Sequence, residues 1–487
     1  MTKKNSSFFL LILLSGIVLR FWSAINKVFW FDEALAWQLS IQNLSSVLSV
    51  SAADNNPPFY YLLLHFWQIW GSSELFLRLP SFIFGLFSIF IGYKVACEFF
   101  SKKVALLYTI LLSLSPLWIY YSMETRAYSL WIMLIILSFY FFIKILKTSY
   151  FKDYLLFTLC CLFSLYTHYY TLFFLLSLNL FLILKRQKYS KLLVPFFITQ
   201  AISFLAFLPW LIIFLTNSHP LPWSSSLILG IPATFFGVAL GGLGMVTLKT
   251  FFATTTPFLF KFLFAGLSFF LGYLFLMGLL QKDKQEVKLL LLLIIFFPIL
   301  LAVLTSLITP VYSPRAFIAF SFAFYLLAVR GLEKLSGNIK SALFLLITLL
   351  VTVILIQNLY PPFKPQTIRM AAQFIRENSN GKPLIIHTDL LTFYPFLYYF
   401  KDNRAYQSLV YDSGLPKKTT EILGGSSTDF SETIKPVNSF WSVTFSWDEK
   451  TTKFKEEQTK LNKKFNYRLV KQFNDLEIFY YQPALIP

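Results

Sequence analysis

The sequence predicts a mainly α, polytopic transmembrane helical bundle of about eleven spans, with interfacial helices in the first outer loop and a small C-terminal soluble α/β lobe. Three observations predict it. Hydrophobic residues fill 56% of the 487 positions and charged residues only 13%, too apolar for a chain whose surface must meet water. The apolar residues come in repeated runs of about 15 to 25, the length a helix needs to cross about 30 Å of hydrocarbon. After Tyr360-Pro361-Pro362 the pattern changes to mixed polar and apolar, as in a small domain that folds in water.

A formal charge of +19 would point to nucleic acid in a soluble protein. Here the lysines gather in short loops between apolar runs, where positive charge sets membrane orientation, so the membrane is the partner and nucleic acid is not. Cys97, Cys160 and Cys161 lie inside apolar runs and offer neither a disulfide framework nor a zinc site. Met1 to Lys4 and the apolar run behind them look like a signal peptide. No small-residue cleavage site follows, and Arg20 and Trp22 interrupt the end, so the segment reads as a retained first span, with Arg20 snorkelling from it.

The basic clusters Lys3/Lys4, Lys102/Lys103, Lys144 to Lys152, Lys185 to Lys191, Lys282 to Lys288 and Arg330 to Lys340 fall on the cytoplasmic side under the positive-inside rule. Spans then lie near 7–26, 80–99, 104–121, 127–146, 154–169, 171–184, 192–215, 258–280, 289–308, 316–332 and 341–359. An odd number leaves the C-terminal segment outside a multi-pass cell-membrane protein whose N-terminus is cytoplasmic. Parity also decides two stretches that are not spans. Residues 58–70 carry His65 and Gln68 and form an interfacial helix; residues 227–246, with five glycines, are re-entrant or interfacial. The domains are therefore 1–359 in the membrane, with outer loops about 27–79 and 122–127 carrying the chemistry, and 360–487 outside. The outer lobe should hold a helix at 366–377, strands at 382–388, 440–446 and 477–482, and a charged helix at 449–465.

This register gathers Asp32, Glu33, Asp54, Glu74, Arg78, Glu124, Arg126, His168 and Arg315 at the outer interface, although they come from four separate loops. Charges at membrane depth are costly and face a cavity or a partner. Both signs together suit an anionic ligand with a catalytic carboxylate. Asp32 and Glu33 open a helix between aromatic flanks; the plain reading is a favourable helix-dipole charge of about 1 kcal/mol, and the functional one is a base for an acceptor hydroxyl. Glu74 and Arg78 stand four apart, where an ordinary helical ion pair is as good an account as ligand binding. Arg126 and Arg315 lie on the side that positive-inside statistics disfavour, and a guanidinium forms bidentate bonds to phosphate. His168, among aromatics, is either a satisfied interfacial histidine or a ligand for the anion. With no second histidine and no acidic cluster nearby, no tightly held metal is expected.

The pieces Leu19-Arg20, Trp30-Phe31-Asp32-Glu33-Ala34, Asn55-Asn56-Pro57-Pro58-Phe59-Tyr60-Tyr61, Ser73-Glu74 with Arg78-Leu79-Pro80-Ser81 and Gly85, and Ser115-Pro116 through Glu124-Thr125-Arg126-Ala127-Tyr128 resemble the GT-C glycosyltransferases of the protein O-mannosyltransferase and aminoarabinose transferase kind. They follow the family's order over about the first 130 residues. The resemblance implies a polyprenyl-phosphate sugar as donor and a lipid, protein or polysaccharide as acceptor. It implies Asp32 as the base, with Glu33 and Glu124 beside sugar or acceptor. Where relatives often carry Lys or His before Pro-Pro, this chain has Asn56, so the lipid phosphate passes to Arg78, Arg126 or Arg315, with Asn56, Tyr128 and His168 completing the donor site. No cofactor is obligatory, and a weakly bound divalent cation is left open. Two other functions fit a polytopic chain. A transporter or lipid flippase would hold its charges near the midplane and show repeated halves, whereas here they sit at one face with no visible repeat. A non-catalytic assembly subunit would have no use for carboxylates set against arginines.

The orientation is tested by cysteine-accessibility labelling on intact cells. Positions 102, 147, 188 and 284 should be closed to a membrane-impermeant reagent, and 78, 126, 315 and those after 360 open to it. Outer labelling at 102 or 284 would overturn the register.

Overall fold

The structure, a computed structural model, describes residues 3–217, 227–240, 257–335, 338–359, 367–387, 390–402, 406–409, 422–423, 439–445, 465–473 and 476–483. The chain divides into two compact units. One comprises Met1–Asn26, Asn55–Tyr60 and Arg78–Phe363; the other comprises Lys27–Asp54, Tyr61–Leu77 and Lys364–Pro487.

Among the described residues, seven helices are long and apolar enough to cross a membrane, or up to nine if each of two bent pairs is one span. The expected spans at 154–169 and 171–184 are the shorter helices Phe151–Leu165 and Thr171–Leu184. The stretch at 58–70 is a short helix, Phe59–Trp67, continued by a 3-10 turn, Gln68–Trp70. Leu227–Leu240 is helical, and residues 241–246 lie outside the described residues. The expected continuous span at 104–121 is broken into Lys102–Leu114 and Pro116–Ser122, bent by 57°. Pro116 has no N–H to offer the carbonyl one turn back, so the first helix stops, and the Ser115 hydroxyl caps the next by accepting from the Trp118 amide at 3.3 Å.

The first unit is helical, and its basic loops meet at one end. Glu98 takes both Lys144 (2.6 Å) and Lys147 (2.8 Å), Arg330 pairs with Asp283 (2.6 Å) and lies over the Phe100 ring, and Lys188 pairs with Glu286. Partly exposed pairs of this kind contribute little stability, but they bring the clusters at 144–152, 185–191, 282–288 and 330–340 to one end. The helix Tyr128–Thr148 runs from the Glu124–Arg126 turn to this basic end, so that turn lies at the opposite end of the unit. In the bundle core, helices Phe258–Leu279 and Ser321–Lys334 cross so closely that a Cβ at Gly331 would stand 1.8 Å from the Leu274 carbonyl oxygen, a crossing that only a residue without a side chain permits.

The second unit carries a five-stranded sheet of β1 (Leu384–His387), β2 (Tyr406–Leu409), β3 (Phe440–Phe445), β4 (Phe465–Phe473) and β5 (Leu476–Pro483) in the order β2-β1-β3-β5-β4. β1 is parallel to both of its neighbours, and β5 is antiparallel to β3 and β4. The helix Thr367–Glu377 turns Ile368, Ala371, Ala372 and Ile375 onto Ile385, Trp441, Val443 and Ile478 of the sheet, the three-and-four spacing of one helical face. The expected helix at 366–377 and strands at 382–388, 440–446 and 477–482 are thus present. Most of the charged stretch at 449–465 lies outside the described residues. The helix Leu390–Tyr399 and strands β2 and β4 are further elements, whose short apolar or mixed runs carry no clear period.

His387 ends β1 completely buried, with Nδ1 3.1 Å from the Thr392 hydroxyl and Nε2 3.1 Å from Gln407 Oε1. Burial disfavours its charged form and pushes its pKa down to about 3. Its unfolded value is about 6.5, so an unfolded chain takes up a proton that the folded lobe refuses. The stability this provides is complete above pH 6.5 and is lost as the pH falls toward 3. Lobe unfolding by urea, followed in the full chain in detergent, should lose about 2 kcal/mol between pH 7 and pH 5, and His387→Gln should flatten that dependence.

Candidate active site

In the first unit, motifs spread over more than a hundred residues of sequence meet at one end. The Asn55-Asn56-Pro57-Pro58 turn has Asn55 in the left-handed region (φ 55°), a conformation asparagine accepts more readily than most residues. Behind it the Phe59 amide donates to the Tyr166 carbonyl (3.0 Å) and the Phe59 ring stacks on Phe163, which sets Asn56 beside the turn that carries His168. Tyr60 donates to the Ser81 hydroxyl (3.0 Å), which donates in turn to the Arg126 carbonyl (3.3 Å). The three motifs around Pro57, Pro80 and Arg126 are therefore tied by one chain of hydrogen bonds.

The turn of Glu124, Arg126 and Tyr128 is closed by the Ser129 hydroxyl on the Tyr121 carbonyl (3.0 Å). Glu124 is buried within it, and Arg126 and Tyr128 are half-buried. His168 stacks on Trp131 with centroids 4.0 Å apart, lies 6.2 Å from the Tyr128 ring, and feels the charge of Arg126. Its Nδ1 accepts from the Tyr170 amide (3.2 Å), so the neutral ring carries its proton on Nε2. One nitrogen of His168 is thus satisfied structurally and the other is a donor. Tyr170 also holds the third segment: its hydroxyl donates to Val311 (2.8 Å) and accepts from the Ser313 amide (3.3 Å), just before the 3-10 turn Pro314–Phe320 that carries half-buried Arg315. Asn56, Glu124, Arg126, Tyr128, His168 and Arg315 therefore sit on adjoining turns at one end of this unit.

Two further arginines turn inward. Arg78 is buried and donates to the Ala24 carbonyl (3.0 Å) in the last turn of the helix Lys3–Asn26, where carbonyls lack helical partners. Arg20 was expected to snorkel, and it does not. It is fully buried, donating to the carbonyls of Gly16 (3.1 Å), Ser113 (2.9 Å) and Leu112 (3.4 Å) and to the Ser122 hydroxyl (3.2 Å). The Leu112 carbonyl is the one that Pro116 leaves without an amide, so Arg20 completes a broken helix inside the bundle. The sequence signal for this role was Ser115-Pro116 within an apolar run. Gly85 brings its helix against Ser122 at the same place: a Cβ there would stand 2.2 Å from the Ser122 hydroxyl.

Asp32 and Glu33 belong to the second unit. Their helix, Phe31–Ser40, begins just after Trp30, which puts both acids in its first turn where the helix dipole favours them. Asp32 is half-buried and Glu33 fully buried, so Asp32 is the one more open to an incoming hydroxyl. Glu74 accepts from Arg369 (2.7 Å) and from the Tyr399 hydroxyl (3.1 Å), partners about three hundred residues away that no local spacing revealed. Among the described residues no three His, Cys, Asp or Glu side chains are grouped so as to hold a metal ion.

The dolichyl-phosphate-mannose-protein mannosyltransferase family profile matches residues 54–213. The fold is similar to that of ArnT from Cupriavidus metallidurans in the apo state (TM-score 0.66, 10% identity, 98% of both chains covered). The same protein bound to undecaprenyl phosphate gives a TM-score of 0.65 at 10% identity, again over 98% of both chains. The Archaeoglobus fulgidus oligosaccharyltransferase tethered with an acceptor peptide gives 0.52 at 12% identity, over 92% of this chain and 70% of that one. No curated protein matches the sequence. These likenesses are of fold: the chain is similar in fold to ArnT over nearly the whole length of both chains.

The Gly85 contact is open to test. Gly85→Ala forces a methyl group into Ser122, and overpacking of this kind costs about 1–3 kcal/mol. The variant should melt earlier in detergent, and Ser122→Gly in the same chain should restore much of the loss.

Proposed function

We propose that this chain is a membrane glycosyltransferase that moves a sugar from a polyprenyl-phosphate carrier to an acceptor hydroxyl on the extracytoplasmic face. The observation that carries the reading is the meeting of three separate turns in the first unit, which brings two half-buried arginines and a histidine donor to one end of an apolar bundle. Guanidinium groups at such a place suit a lipid phosphate. The likeness to ArnT, a protein that binds undecaprenyl phosphate, supports the same ligand.

The reaction needs a neutralised leaving group and a base. Arg126 and Arg315 take the charge that develops on the phosphate oxygen as its bond to the anomeric carbon breaks, and His168 Nε2–H adds a neutral hydrogen bond. Asn56, Tyr128 and buried Arg78 shape and brace the donor site. The acceptor oxygen forms the new bond to the anomeric carbon from the opposite face, and its proton passes to Asp32. One displacement inverts the anomeric centre and releases the polyprenyl phosphate. Glu33 and Glu124, both buried, orient sugar or acceptor. No step requires a cofactor, and a weakly held divalent cation would only supplement the arginines.

Purified protein supplied with labelled polyprenyl-phosphate sugars should form a labelled product. Asp32→Asn keeps the side chain's shape but removes the proton acceptor, so turnover at saturating donor should fall by about 10²-fold or more with little change in melting temperature. Arg126→Leu and Arg315→Leu should instead weaken donor binding by roughly tenfold or more, since hydrogen bonds to charged groups contribute about 1.5–3 kcal/mol. Near-normal turnover of Asp32→Asn would move the base to Glu124 or Asp54.

A further inference from the structure

The second unit joins the outer-loop segments 27–54 and 61–77 to the C-terminal segment, and its hydrogen bonds concentrate just ahead of Asp32. The Tyr399 hydroxyl accepts from the Phe29 amide (3.1 Å) and donates to Glu74 Oε1 (3.1 Å), while Glu74 Oε2 takes the Arg369 guanidinium (2.7 Å). The chain Phe29–Tyr399–Glu74–Arg369 thus ends three residues before Asp32, at the entry to the helix Phe31–Ser40. Next to it the Tyr398 ring meets Phe29 (4.3 Å between centroids) and the edge of Trp37 (5.1 Å), and the Tyr398 hydroxyl donates to the Ser72 carbonyl (2.8 Å). Lys401 holds the same Ser72 carbonyl at 2.7 Å, and Gln38, further along the helix, donates to the Leu423 carbonyl (2.9 Å).

We propose that Tyr399 is a positioning residue for the transfer reaction: through the Phe29 amide and Glu74 it fixes the start of the Phe31–Ser40 helix and with it the direction of the Asp32 carboxylate. The inference rests on Asp32 being the base. Three physical points support it. A helix of ten residues is marginal by itself, so its placement depends on packing and end contacts. Burial, and then the negative charge of Glu74, raise the pKa of Tyr399, so its hydroxyl remains a donor throughout the working range. Burial works to lower the Arg369 pKa, but Glu74 and Tyr399 together outweigh it and leave it raised, so the guanidinium stays charged beside Glu74. The aromatic rings fix the helix face and the hydroxyl fixes its entry, and only the second is removed by taking away one oxygen atom.

Tyr399→Phe retains the ring and deletes the relay. In the full chain in detergent, amide exchange of residues 29–35 should quicken. The turnover number should fall by about tenfold or more while the donor KM stays unchanged, because a misdirected base slows the chemistry without loosening the phosphate. Arg369→Leu should act in the same direction, and Arg369→Lys, which keeps the charge, should recover most of the rate. If Tyr399→Phe unfolds the lobe, the Arg369 pair carries the same test. Unchanged exchange, or quicker exchange with wild-type turnover, overturns the proposal, as does a rate loss that follows melting temperature alone. Failure of the wild-type chain to transfer sugar from any polyprenyl-phosphate donor would reject the enzymatic reading instead, and exchange would still report whether Tyr399 holds the helix.

Discussion

The rest of this structure depends on one constraint: inside a membrane bundle every backbone carbonyl must find a donor, because no water is there to supply one. Among the prolines that interrupt its helices, two leave carbonyls that a side chain reaches. Pro116 deprives the Leu112 carbonyl of its amide, and Arg20 supplies the donor from another helix. Pro80 deprives the Phe76 carbonyl in the same way, and the Trp67 indole N–H reaches it at 2.9 Å. An arginine fully buried among helices would be ruinous without such partners; with four acceptors around it, it becomes the reason the break can exist.

The breaks matter because they lie near the turns proposed to carry the chemistry. The helix Pro116–Ser122 ends two residues before Glu124, and the Ser122 hydroxyl that accepts from Arg20 lies against Gly85. A rigid base under the Glu124–Arg126 turn is what a phosphate site needs, since a guanidinium contributes most when its direction is fixed in advance. The aromatic residues serve the same end. Trp131 gives His168 a flat surface and bonds to Thr171 through its indole N–H (2.9 Å), while Tyr170 ties the His168 turn to the segment before Arg315.

The second unit uses a different device. Its helix Phe31–Ser40 is short and apolar, and Glu33, in its first turn, is wholly buried. Placement comes from outside the helix, from tyrosines 398 and 399 and from Glu74. The C-terminal lobe is thereby more than an appendage: its helices Thr367–Glu377 and Leu390–Tyr399 supply partners of Glu74 in the segment 61–77.

The sequence by itself determined the class of fold and the order of the loops, and it marked the motifs on which the proposed chemistry rests. Long apolar runs require a bundle, lysine clusters mark one of its ends, and the motifs around Asp32, Pro57, Pro80 and Arg126 are local patterns that can be read from neighbours in the chain. The helix at 366–377 and the strands near 384, 440 and 478 were legible for the same reason, since periodicity is a property of adjacent residues. Tertiary structure alone decided the rest. The spacing of Glu74 and Arg78 fits a local pair as well as a ligand site, but it gives no sign that Glu74 takes Arg369 and Tyr399 or that Arg78 donates to the Ala24 carbonyl. Arg20 looked like a residue reaching for the membrane surface and instead completes a helix whose break lies about ninety residues away. Such contacts leave no periodic trace, because whether a buried polar group finds its partner depends on how distant helices pack, and packing is not encoded in any short stretch of chain.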